Sequence, residues 1–194
     1  MSPVRRLLLS LAVLAAMTGA ACGDPPDKEM QQAQGAIDAA RAAGANQYAR
    51  DEFTAAEDAL KRAREAVVQR DYRQALNNAL DARERALAAS KEAADRKAAA
   101  RLAAEHALAE ANMALNQSRA KLKAAETAHA PAKAIGAGRR AIDDAEIAVQ
   151  KARTAFASGD FPVSVDAAGS AATHLRAATR DLDAAIPAGV RRRR

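Results

Sequence analysis

Alanine is the residue that most constrains this chain, because it occupies 58 of the 194 positions. It is the strongest helix former, yet its methyl group buries little surface. Large side chains are scarce, with three Phe, two Tyr and no Trp. Alanine also lets helices approach to the short end of the usual separation of about 8–10 Å. We therefore expect an all-α protein, an elongated bundle of antiparallel helical hairpins with thin contacts.

Glycine, proline and aspartate divide the chain after residue 26 into five predicted helices. Three aspartates stand where N-caps are expected, namely Asp51, Asp71 and Asp160. Asp71 is followed three residues later by Gln74, which is a variant of the capping box. The predicted helices cover 27–43, 51–70, 72–127, 139–157 and 160–186.

The third of these helices is the longest, because no glycine or proline interrupts residues 72–130. Over 72–127 it would measure about 84 Å at about 1.5 Å per residue. It carries a ladder of period seven: Leu80, Leu87, Ala94, Arg101, Leu108, Leu115 and Leu122. That period is typical of a coiled-coil seam. The helix either packs within its own bundle or joins two copies into a homo-oligomer through the Leu80–Leu122 seam.

A shift of 89 residues aligns the two halves of the chain. Alanines recur at matching places, Asp71 aligns with Asp160, and the aromatic residues Tyr72 and Phe161 follow them. We interpret the pattern as a duplication in which each copy is a pair of antiparallel helices joined by a tight turn. The five aromatic residues lie near predicted helix ends, where they either fill the ends of hairpins or stack on a ligand.

The N-terminus has the three parts of an export signal. Arg5 and Arg6 precede an apolar run of about 15 residues, which is shorter than the roughly 20 needed to span a membrane. Small residues then lead to Cys22, the only cysteine of the chain. Cleavage before Cys22 would leave its thiol at the new N-terminus. The alternative is ordinary secretory cleavage near Ala21 with a free thiol.

The segment Gly19-Ala20-Ala21-Cys22 resembles the lipobox of bacterial lipoproteins, although Gly19 stands where Leu is usual. The resemblance implies that Cys22 is lipidated and tethers the chain to a membrane. It places the chain on the periplasmic side of the cell envelope, and Gly23, where an Asp would retain a lipoprotein at the inner membrane, favours the outer membrane.

The net charge of +6 is concentrated at the two ends of the chain. Arg5 and Arg6 fall within the signal, and the run Arg191, Arg192, Arg193 and Arg194 accounts for the remainder, so the helical body is near neutral. A nucleic-acid-binding protein should carry a basic face, and we therefore expect no nucleic-acid partner. The four arginines either form a solvated tail or contact an anionic surface such as lipid headgroups or wall polymer.

No residue pattern indicates catalysis, a cofactor or a metal. His106, His129 and His174 are far apart and lack the spacing of metal ligands. The chain also has no nucleophile elbow and no phosphate-binding glycine loop. We expect no enzyme, no cofactor, no metal site and no catalytic residue.

Residues 36–60 and the segment around Asp71-Tyr72 also resemble the bacterial lipoproteins that carry domain of unknown function 4398, across roughly residues 28–90. The resemblance implies an envelope lipoprotein of short helical hairpins and supplies no catalytic residue. The expected organisation is a signal peptide (1–21), a lipidated Cys with linker (22–27), a first unit with the long helix (28–128), a second hairpin (129–186) and a disordered basic tail (187–194).

Two functions remain open at this point. The first is a non-enzymatic helical scaffold or spacer that contacts an envelope protein or the cell wall. The second is a tetratricopeptide-like periplasmic module that binds a protein or a small ligand in a groove between hairpins, because the segment Asp71–Leu76 resembles half of such a repeat.

Overall fold

The computed structural model describes residues 24–191, with side chains described to residue 186. Within that range the chain forms six helices and no strand. They are α1 (Asp27–Ala42), α2 (Ala45–Tyr48), α3 (Arg50–Val68), α4 (Tyr72–Thr127), α5 (Ala132–Ala157) and α6 (Phe161–Arg191). The predicted all-α bundle with one long helix is therefore confirmed.

The chain divides into two compact units at Asp95 and Arg96, inside α4. Unit 1 contains α1, α2, α3 and the first part of α4. Unit 2 contains the rest of α4 together with α5 and α6. The predicted first unit (28–128) is thus split within its long helix, because the first part of that helix packs on α3 and the second part on α5 and α6.

Unit 1 has a thin core made mainly of alanine. Its large buried side chains include Ile37, Tyr48, Phe53 and Leu60, and fully buried alanines of α1, α3 and α4 belong to the same core. Ion pairs and hydrogen bonds join the three helices at the rim of this core. Arg41 pairs with Glu57 at 2.7 Å, and Arg83 donates to Gln32 across α4 and α1.

Unit 2 has a larger apolar core. Leu115, Ile142, Val149 and Leu175 are buried together with alanines of all three helices. One polar contact lies inside it, where the buried Ser118 hydroxyl donates to the Leu175 carbonyl at 3.1 Å and lies 2.8 Å from the Thr179 hydroxyl. These bonds satisfy a hydroxyl that would be costly to bury alone.

Three helix ends share one backbone arrangement, in which a residue with positive φ follows the helix. The residues are Arg70, His129 and Gly159, with φ of 59°, 57° and 81°. At each, the next N–H bonds back to a carbonyl five residues earlier, as Asp71 does to Ala66 at 2.9 Å. This Schellman arrangement satisfies carbonyls that the helix leaves without partners. Two of the three residues are not glycine, so composition alone marks these ends poorly.

Two of the three predicted N-caps are observed. The Asp71 carboxylate accepts from the Gln74 N–H at 3.0 Å, and Asp160 accepts from the Val163 N–H at 3.4 Å. The Asp51 cap is wrong, because α3 begins earlier, with Ala49 at the cap position and no side-chain bond there. Asp51 instead lies in the first turn, where its charge favours the helix dipole.

Two other boundaries differ from the prediction. Helix α5 begins at Ala132 rather than Arg139, and it includes Gly136 and Gly138. Helix α6 does not end before Pro187 but continues to Arg191. A proline removes one backbone donor and crowds one carbonyl, which penalises a helix without forcing it to end. Residues 187–191 of the predicted disordered tail are therefore helical, and residues 192–194 lie outside the described part.

Gly138 explains why α5 tolerates glycine. A Cβ at this position would lie 3.0 Å from both Leu182 methyl carbons, and Leu182 is only 1% exposed. The glycine therefore lets α5 pack closely on α6 where a large side chain fills the core. Gly169, on α6, has no atom within 4 Å of the equivalent point.

We predict opposite effects for the same substitution at these two glycines. Gly169→Ala should raise the free energy of unfolding by roughly 0.5–1 kcal/mol, because alanine restricts the unfolded chain and no contact opposes it. The free energy of unfolding of Gly138→Ala should be lower than that of Gly169→Ala by at least about 1 kcal/mol, because overpacking costs about 1–3 kcal/mol. Urea denaturation of the chain from residue 24 measures both. Equal stability of the two variants would contradict the packing role of Gly138.

Candidate functional site

The predicted lipidation site and most of the arginine run lie outside the described residues. Cys22 and the predicted signal peptide precede residue 24, and Arg192, Arg193 and Arg194 follow residue 191. Arg191 is the last residue of α6. Over 24–191, no helix combines the length and the apolar character that crossing a membrane requires.

The leucine ladder of α4 does not form one continuous surface. Leu80 and Leu87 are 45% and 56% exposed, whereas Leu115 is 7% exposed and packs in the unit 2 core, with Leu108 and Leu122 against it. The second half of the Leu80–Leu122 ladder is therefore already used within the chain, and a homo-oligomer through this seam stays a prediction. The in-bundle alternative holds for Leu108, Leu115 and Leu122.

Substitution along the ladder should show this division. Leu115→Ala is expected to lower the free energy of unfolding by about 2–5 kcal/mol, because it opens a cavity in a packed core. Leu87→Ala should change it by no more than about 0.5 kcal/mol, because the side chain is already in solvent. Chemical denaturation compares them. A large loss of stability for Leu87→Ala at low protein concentration would contradict the exposed position.

Each unit carries a groove with several polar residues in its lining, which we call its polar groove. It lies between α1 and α3 in unit 1 and between α4 and α5 in unit 2. In unit 2 the groove measures about 410 Å³, and its lining includes Asn112, Asn116, Arg119 and Arg153. In unit 1 it measures about 330 Å³, and its lining includes Asp27, Gln31, Gln34 and Arg64. These are matching positions, 85 residues apart on the first helix and 89 on the second.

The arginines of both polar grooves are already engaged. Arg64 donates to Gln34 at 2.7 Å, and Arg153 donates to Asn112 at 2.8 Å. Arg119 pairs with Glu146 at 2.7 Å. The polar grooves are therefore the hydrogen-bonded rims of two similar bundles. Of these three arginines, Arg119 pairs with a carboxylate, whereas Arg64 and Arg153 donate to neutral amides.

A different groove lies between α5 and α6 of unit 2, and we call it the α5–α6 groove. It consists of two adjoining cavities of about 190 and 240 Å³ that share Ala141 and His174. Alanines line most of it, with Gly138 beside them. Its polar residues are Asp144 and Ser170 in the smaller cavity, Asp181 in the larger one, and His174 between them.

The matching region of unit 1 is occupied by the chain's own side chains. Arg85, 89 residues before His174, bridges α3 and α4, with contacts of 3.4 Å to Glu52 and 2.9 Å to Asp81. Its hydrogen bond with Asp81 and the charge of Asp81 raise the pKa of the Arg85 guanidinium, and Glu52 acts in the same direction. Tyr48, which matches Ala137, is also buried, at 8% exposure.

Sequence reasoning missed the α5–α6 groove, although the 89-residue alignment held the signal for it. The positions that hold Glu52, Asp81 and Arg85 in unit 1 hold Ala141, Ser170 and His174 in unit 2. Matching identical residues draws attention to what the halves share. The groove arises where they differ.

The aromatic residues behave as packing groups within each unit. Phe156 and Phe161 face each other across the turn between α5 and α6, with ring centroids 5.4 Å apart. Phe53 is buried beneath Arg41, whose guanidinium carbon lies 5.4 Å from the ring centroid. They do not converge within either unit on a shared stacking surface, which agrees with the hairpin-end interpretation.

Among residues 24–191, no group of three or more His, Cys, Asp or Glu side chains is arranged to hold a metal ion. His106 lies 3.9 Å from Glu110 on the same helix face, and His129 contacts the Thr127 carbonyl in the turn after α4. His174 is exposed and lines the α5–α6 groove.

Comparisons with protein-family models, with curated proteins and with solved structures find no match to this chain.

Proposed function

We propose that this chain is a lipid-anchored envelope lipoprotein that acts as a non-enzymatic helical scaffold on the periplasmic side, attached to the outer membrane. The observation that carries the proposal is the single cysteine at the end of an export-type leader. The short segment between the cysteine and the first helix supports the proposal, because α1 begins at Asp27, only five residues after Cys22. An anchor at Cys22 would therefore hold unit 1 near the membrane surface.

Two features of the structure suit a scaffold that contacts other molecules. Helix α4 takes part in both units, so one element of 56 residues joins them. Leu80, Leu87 and Leu102 are exposed on it. Exposed leucines at helical spacing are the kind of anchor that helix-to-helix recognition uses. Contacts with an envelope protein or the cell wall, and the family resemblance to lipoproteins of domain of unknown function 4398, are part of this proposal.

The second candidate is a periplasmic binding module, and the α5–α6 groove is the observation that favours it. Binding sites are typically concave and mostly apolar, with a few polar groups that fix orientation. The groove has that composition, with alanine walls and two aspartates. The two candidates are compatible, because a tethered scaffold can carry a binding groove.

Replacing the cysteine tests the anchor. Cys22→Ser should move the protein from the detergent phase to the aqueous phase in Triton X-114 partition, because each buried lipid methylene contributes about 0.8 kcal/mol to membrane attachment. Ala21→Ser, which retains the thiol and a small residue, serves as the matched control and should stay in the detergent phase. Continued detergent partition of Cys22→Ser would refute lipid anchoring at this residue.

The arginine run can be tested separately from the anchor. Replacing Arg191, Arg192, Arg193 and Arg194 with Gln in a chain that lacks residues 1–22 preserves helix propensity and removes four charges. If these residues contact an anionic surface, binding to vesicles rich in phosphatidylglycerol should fall at least tenfold at low salt, since each basic residue near such a surface contributes about 1 kcal/mol. Unchanged co-sedimentation would identify the run as a solvated tail.

A further inference from the structure

The two units differ at matching positions: unit 1 carries an arginine that bridges its helix pair, and unit 2 carries an open groove there. In unit 1 an arginine from α4 reaches across the helix pair and ends between two acids, Glu52 and Asp81. In unit 2 the matching position carries His174, which is shorter, and the matching acid positions carry Ala141 and Ser170. Unit 1 thus shows an arginine side chain, 40% exposed, that lies across the matching helix pair.

The open groove has acids of its own. Asp144 lies three residues after Ala141 and therefore on the same side of α5, and Asp181 lies seven residues after His174 on α6. Within the described residues, neither aspartate forms an ion pair, whereas Glu126, Glu146 and Asp183 nearby in unit 2 all do. The groove thus combines an alanine floor with unpaired negative charge at its edge.

We propose that the α5–α6 groove binds an arginine side chain presented by another polypeptide. The methylene groups of the arginine would lie over the alanines, as long cationic side chains commonly do on apolar surface. The guanidinium would occupy the cavity bordered by Asp144 and Ser170, which corresponds to the place of Arg85 in unit 1. Asp181 would attract a second basic residue of the same partner segment. This binding does not depend on lipid anchoring at Cys22.

The partner chemistry follows from the shape and charge of the groove together. Arginine matches a carboxylate through a planar, two-pronged donor that lysine lacks. The two cavities are shallow and have a combined volume suited to one or two side chains rather than a whole folded surface. An anionic ligand is disfavoured, because it would meet the carboxylates of Asp144 and Asp181.

A titration with isotope-labelled protein tests the proposal. Acetyl-Ala-Arg-Ala-amide is added to the full mature chain while amide shifts are recorded, and acetyl-Ala-Gln-Ala-amide serves as the uncharged control. We expect saturable shifts at Ala141, Asp144 and His174 with the arginine peptide alone. The matching amides of Glu52 and Arg85 should stay unchanged, because Arg85 already pairs with the acids at that place.

Two variants sharpen the result. His174→Arg restores the residue of unit 1 and should abolish peptide binding by filling the groove from within the chain. Asp144→Asn should weaken binding about two- to fivefold, the range expected for one exposed charge pair. Asp143→Asn, a neighbouring acid outside the groove lining, is the matched control and should bind as the parent does. Circular dichroism verifies that each variant keeps its helices.

Several outcomes would overturn the proposal. These are the absence of saturable shifts with the arginine peptide, equal binding of the glutamine peptide, equal shifts in unit 1, and undiminished binding by His174→Arg. Shifts at the groove that depend on protein concentration alone would identify a second copy of the chain as the occupant, and would likewise overturn it. None of these results bears on Cys22, so failure here is distinct from failure of the anchor.

Discussion

The close contact of alanine-lined helices is the constraint on which the rest of this structure depends. Ala33, Ala56, Ala63 and Ala79 have no exposed surface, and each contributes only one methyl group to its interface. Such contacts bring backbones together but leave little volume for a deep core. Polar bridges at the rim, such as Arg41–Glu57 and Lys121–Asp183, therefore accompany the apolar contact in both units. Exposed pairs of this kind add little individually.

Helix α4 depends on the same residue for a different reason. Between the two cores, residues 94–103 are exposed except for the half-buried Ala100. With so little burial, helix propensity and local pairs such as Arg101–Glu105 must maintain the helix there. The sequence of that stretch contains five alanines, the residue best suited to the task. One residue type thus serves close packing in the units and intrinsic helicity between them.

The parts of the structure that follow from local chemistry could be predicted, and those that depend on tertiary contacts could not. The long helix and the Asp71 and Asp160 caps follow from composition and spacing. The start of α5 could not be predicted in this way. A glycine such as Gly138 usually indicates a helix end, and its packing against Leu182 is visible only in the structure. Arg70 and His129 adopt positive φ without being glycine or asparagine, so no residue type marked them. The ladder had the right period, but its spacing could not show which leucines were already covered.

The groove between α5 and α6 was missed from the sequence for a related reason. Repetition was visible, and the shared residues of the two halves are mainly those that bury against one another. Residues that differ at matching positions say more about a site, because the helix packing that the two units share fixes where each side chain lies. Replacing Glu52, Asp81 and Arg85 with Ala141, Ser170 and His174 removes an internal ion-pair network without disturbing the surrounding buried alanines. Unit 2 therefore keeps the helix packing of unit 1 while its α5–α6 groove stays open. Under our proposal, an arginine from another polypeptide binds there, at the place that Arg85 takes in unit 1.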